Sequence, residues 1–138
     1  MLKVSKKDII SKLNNIDTLQ QLLQVNRNEL FEVIELLHKI QSVLNDNILK
    51  TFDEWINEIE NDIKEIDREL TFILNCINKI EDSEDKKILV ELYVNRKPIE
   101  DIEKEFCIEH VYMLELLDKM YIQLKQIIKK SGELWFMK

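Results

Sequence analysis

The 138-residue chain holds one Gly and one Pro, where ordinary proteins carry roughly 7% and 5%, so it lacks the turn residues that a sheet-rich fold needs every ~8–12 positions. Its 45% hydrophobic and 34% charged residues suit amphipathic helices whose apolar stripes meet, and a net charge of -7 gives no general attraction to nucleic acid or anionic lipid. No run approaches the ~20 apolar residues that span a bilayer, and Met1 to Asp8 lacks the apolar core of a signal peptide, so a soluble cytoplasmic protein with no membrane partner is expected.

The first helix is expected to begin near Ser5. Ser5 and Asp8 have the S-x-x-D form of a capping box, and Ile9, Leu13, Ile16, Leu19 and Leu23 follow at helical steps. Val25 to Asn28 is the weakest stretch, so a break is expected there, with Asn28 capping a second helix striped by Leu30, Val33, Leu37, Ile40 and Leu44. Asn45-Asp46-Asn47 reads as a turn, because such side chains bond to nearby backbone.

The third helix, expected over Thr51 to Glu81, carries the strongest pattern. Phe52, Ile56, Ile59, Ile63, Ile66, Leu70, Ile73, Ile77 and Ile80 fall at alternating steps of four and three, the 3.5-residue repeat of a coiled-coil seam. Such a seam requires a partner. Helices one and two folding back as a three-helix bundle supply one, and a second copy supplies another, so a homodimer stays among the expected partners. Trp55 flanks the seam and is expected in the core.

Glu81 to Asp85 interrupts the seam, and Asp82 or Ser83 can cap a fourth helix whose apolar face is Ile88, Leu89, Leu92 and Tyr93. Asn95-Arg96-Lys97-Pro98 ends it, and Pro98 suits the first turn of the next helix. From Pro98 a short helix with Ile99, Ile102 and Phe106 inside leads to a tight turn plugged by Ile108. A longer helix lined by Met113, Leu116, Met120 or Tyr121, and Leu124 follows, which is a helix-turn-helix pattern. Gly132 can stop that helix, and the tail beyond it presents Trp135 and Phe136, which either fold back or anchor an interface.

The expected fold is therefore all-α: a long coiled-coil-like helical bundle plus a C-terminal helix-turn-helix-like unit. The expected divisions are residues 1–81, a helical hairpin and long heptad helix; 82–131, the helix-turn-helix-like unit; and 132–138, an apolar tail.

On these residues the chain resembles a known family. Asp82 to Ile128 is similar to the fourth, promoter-reading region of sigma factors, and the whole arrangement resembles the ArpU-type phage and prophage late-gene regulators. The parallel positions are Asp67-Arg68-Glu69-Leu70, Ile80-Glu81-Asp82, Leu89 through Leu92-Tyr93-Val94, and Ile99-Glu100-Asp101-Ile102 through Leu124. The resemblance implies a transcriptional regulator that acts at promoter DNA, on RNA polymerase, or both. The contacts it implies are Arg96, Lys97, Lys104, His110, Tyr112, Leu114, Glu115 and Lys119.

The chain departs from that family at telling places. Cys107 stands where the turn usually has Gly, and Glu109 where the cap is usually Ser or Thr. From Glu109 to Leu124 three acids face one base, Lys119, and such a surface repels phosphates and forgoes counterion release. The alternative reading is an acidic helical interaction protein, for example a phage-encoded anti-CRISPR or DNA-mimic inhibitor of a host protein. The sequence offers no Gly-rich phosphate loop, no H-E-x-x-H and no nucleophile beside a placed base, so no catalytic residue is expected. His38 and His110 lack companion ligands, so no metal or cofactor is expected either. Cys76 and Cys107 have no CxxC spacing and read as reduced, partly buried thiols.

Overall fold

The computed structural model describes residues 4–43 and 45–131. These residues form helices α1 (Lys6–Ile40), α2 (Asp46–Asn78), α3 (Ser83–Leu89), α4 (Ile99–Phe106) and α5 (His110–Ser131), with no strand among them. The fold is all-helical. Among the described residues two compact units emerge, one within residues 19–70 and the other from residues 4–18 together with 71–131.

Helix α1 starts as its capping box dictates: the Asp8 N–H donates to Ser5 Oγ at 3.1 Å, and the Ser5 N–H to Asp8 Oδ2 at 3.2 Å. The expected break at Val25 to Asn28 is absent, and α1 runs unbroken for 35 residues. The polar residues there are absorbed into the helix. Asn26 Nδ2 donates to the Leu22 carbonyl at 2.9 Å, and Gln24 Nε2 to Asn28 Oδ1 at 3.0 Å. With no Gly or Pro in the stretch, propensity alone does not stop the helix.

In the 19–70 unit, α1 and α2 are joined by a 3-10 turn, Gln41–Val43, and form a two-helix hairpin. The expected three-helix bundle does not form there, because its first two members are one helix. Asn45, expected inside the turn, instead caps α2 by accepting the Ile48 N–H at 2.9 Å. Val33, Phe52 and Ile59 are buried between the two helices, with Leu30, Leu37, Ile40, Ile56 and Ile63 packed around them. The heptad residues thus face the partner helix. Trp55 does not join this core: it is 40% exposed, stacked at a tilt on Phe52 and donating from Nε1 to Glu29 Oε1 at 3.3 Å. One step round the helix from the seam, an indole can bury only one edge.

In the other unit, Ile9 and Leu13 of α1, Ile73 and Cys76 of α2, and Leu124 and Ile128 of α5 surround a void of only about 10 Å³. Asp82 caps α3 by accepting the N–H groups of Glu84 and Asp85. Ile88 and Leu89 are fully buried, and the chain continues through a π-helical turn, Val90–Val94, that sets Tyr93 into the core. Arg96 then takes a left-handed φ of 58° as the Lys97 N–H reaches back to the Glu91 carbonyl. Pro98 becomes the cap of α4 rather than its first residue. Ile102, Met113, Met120 and Leu124 are almost completely buried, each contributing about 1.5–3 kcal/mol relative to an exposed side chain. Leu117, which the apolar reading passed over, is buried too, whereas Leu116 is only half-buried.

Between α4 and α5 the chain makes a Schellman turn. The Cys107 N–H donates to the Lys104 carbonyl and the Ile108 N–H to the Glu103 carbonyl at 2.9 Å, with Cys107 left-handed at φ 55°, ψ 47°. Ile108 is half-buried behind it. Cys107, expected to be partly buried, is exposed, because the left-handed turn faces its side chain outward; Cys76 is buried.

Candidate functional site

The residues singled out on and around α5 lie in one compact unit, but their charges do not add up to a basic surface. Lys97 pairs with Glu91 of the π-helical turn and, at 3.6 Å, with Glu105 of α4. Its ammonium pKa is raised, first by the hydrogen bond to Glu91, and the Glu91 carboxyl is held low, first by Lys97 and then by Asn95. Lys119 lies 3.6 Å from Asp85 Oδ2, a buried carboxylate oxygen with no hydrogen-bond partner. That Asp85 would be buried was not visible in the sequence, since first-turn acids normally stay wet. Two of the four bases expected to contact a partner therefore serve internal ion pairs.

His110 opens α5 and places Nδ1 at 2.9 Å from Glu103 Oε2, a brace across the turn from α4 to α5. Lys104 is exposed on α4, and its carbonyl accepts the Cys107 N–H. Arg96 borders an open cavity of about 370 Å³ shared with Asn14, Tyr93 and Lys97.

The outward face of α5 is mixed apolar and acidic. Tyr112 is 54% and Leu114 47% exposed, as their register predicts, and Val111 and Ile122 are more exposed still at 69% and 59%. Glu115 and Asp118 share that face, and Asp118 is bonded by the Lys6 ammonium of α1. The same ammonium lies 5.8 Å from the centre of the Tyr121 ring. Val111 and Ile122 were missed in the sequence, although their spacing from Glu115 and Asp118 would have put them on that face.

Trp135 and Phe136 lie outside the described residues, as does Gly132. Among the described residues no group of three His, Cys, Asp or Glu side chains is placed to hold a metal, and no helix is long and apolar enough to cross a membrane. Compared with known protein families, with curated proteins and with solved structures, the chain matches none.

Proposed function

We propose that the chain is a non-enzymatic cytoplasmic regulator of the ArpU kind whose helix-turn-helix-like pair, α4 and α5, has been turned from promoter DNA to a protein surface such as RNA polymerase. The observation that carries this reading is the outer face of α5, where Val111, Tyr112, Leu114 and Ile122 are exposed beside Glu115 and Asp118. A DNA-reading helix needs bases that neutralise phosphates and side chains that bond base edges. Exposed aromatic and aliphatic side chains flanked by acids suit a protein contact instead. The left-handed Cys107 supports the helix-turn-helix-like part of the reading, since it occupies the turn position where the resembling family has Gly.

The test places a photo-crosslinking phenylalanine at Tyr112 and irradiates the full chain in bacterial extract, with and without nuclease. The expected product is a protein adduct that survives nuclease. An adduct to nucleic acid, or a protein adduct lost on nuclease treatment, would overturn the reading, as would a salt-steep gel shift of duplex DNA by the purified chain.

A second reading, an acidic inhibitor of a basic host protein, is favoured by one specific observation: Asp and Glu outnumber Lys and Arg twelve to five within residues 19–70.

A further inference from the structure

Residues 19–70 carry a charge of -7, equal to that of the whole chain, while acids and bases balance in the remaining residues. The charge is also unevenly placed round the hairpin. On α1, Leu22, Val25, Glu29, Glu32 and Leu36 recur at steps of three and four, one flank away from the buried seam. On α2, Ile48, Trp55 and Asp62 recur at steps of seven, with Glu58 beside them. The hydrogen bond from Trp55 to Glu29 ties these two rows to the same side of the hairpin. Leu22, Val25, Leu36, Ile48 and Trp55 are all exposed there. Arg27, Lys50, Lys64 and Arg68 fall at other registers of their helices, and Lys39 alone, three residues past Leu36, continues the α1 row at its end, so this face pairs apolar residues with an excess of acids.

We propose that this face of the hairpin docks a basic amphipathic helix of another protein, which lays its apolar stripe along Leu22, Val25, Leu36 and Trp55 and its Lys and Arg side chains against Glu29, Glu32, Glu58 and Asp62. Charge complementarity selects that occupant. A second copy would bring the same acids against these, and like charges facing one another across an interface work against association. A bare polycation would leave the apolar row wet. A helix with Leu and Lys on adjoining faces satisfies both rows, by the groove-binding mode in which anchors recur at three and four residues. Trp55 is the natural anchor, because buried Trp dominates such interfaces. The proposal uses no residue of the α5 face, so either reading can fail without the other.

The test titrates full-length protein with three synthetic peptides: a Leu/Lys amphipathic helix, its Leu/Glu counterpart, and a Lys/Ser peptide of equal charge with no apolar stripe. Binding is read by calorimetry and by Trp55 emission in a Trp135→Phe background. Tight binding of the Leu/Lys helix alone is expected, with a shift of Trp55 emission. Leu36→Ala/Trp55→Ala and Glu29→Gln/Glu58→Gln should each weaken it at least tenfold by calorimetry, and Phe31→Ala, on another side of α1, should leave it unchanged. Equal binding of the Lys/Ser peptide, or insensitivity to the face variants in chains that keep their helical circular dichroism, would overturn the proposal. So would sedimentation of the chain alone as a dimer that protects Trp55 from quenching, which would make a second copy the occupant.

Discussion

The hydroxyls of Tyr93 and Tyr121 meet at 2.5 Å in the interior, joining the π-helical turn after α3 to the middle of α5. Both side chains are buried, and each is the other's polar partner there. A lone hydroxyl in that place would forfeit its hydrogen bond and stay dry. Tyr93→Phe or Tyr121→Phe alone should therefore lower stability by about 1–3 kcal/mol in urea denaturation. The double Phe variant should lose less than the sum, because it leaves no orphan. Strict additivity would mean that the two hydroxyls do not depend on each other.

The same pair sets an alkaline limit. Burial pushes the Tyr93 phenol well above its ordinary value of 10.0, helped by the bond to Tyr121, and burial raises Tyr121 as well. Folded, the pair stays protonated where unfolded tyrosines ionise, so its contribution is complete below pH 10 and declines above it. The denaturation midpoint should fall as pH rises beyond 10, and less so in the double Phe variant. A wild-type midpoint that falls no faster than the variant's would contradict this.

Cys107 holds a left-handed backbone that glycine adopts freely. An L-residue with a Cβ is disfavoured there by about 1–2 kcal/mol, so Cys107→Gly should stabilise the fold by about 1 kcal/mol. Cys107→Ala keeps the Cβ and should change little, which separates backbone relief from loss of the thiol. A glycine variant no more stable than the alanine one would show that the turn carries no strain.

Lys119 approaches Asp85, whose side chain is buried. Lys119→Met would leave that carboxylate without its counter-charge, and a loss of about 1 kcal/mol is expected because the ammonium itself is largely in water. Adding Asp85→Asn should recover part of it. If Lys119→Met proves neutral in low salt, the pair contributes nothing.

Much of the architecture could be read from residue spacing. Ile59, Ile73, Ile77 and Ile80 of the seam are buried and Ile56 and Ile63 partly so, Ser5 and Asp82 cap where their side chains allow, and Pro98 interrupts the chain where expected. The expected break near Asn26 does not occur because Asn, a weak helix former alone, bonds within the helix once tertiary packing holds it. Trp55 was misplaced because its position on the helix allows only half of the ring to be covered. At the candidate site, spacing identified Tyr112 and Leu114 as outward-facing. It could not identify Glu91, Asp85 and Glu103 as partners of Lys97, Lys119 and His110, since two of these pairs cross between separate helices and the third closes a non-helical turn. The segregation of charge onto the hairpin was countable throughout, but only after its limits were known.

The five-residue π-helical segment Val90–Val94 has an effect of its own. A π turn accommodates one residue more than an α turn of similar rise, so backbone count, not side-chain identity, decides which residue after Leu89 points inward. Deleting one residue there would let the segment wind as an ordinary helix with the later positions kept in place, whereas a deletion in α3 before it would swing every later position by about a quarter turn or more. The segment is therefore slack in the chain's count, the place where the loss of one residue is absorbed most readily.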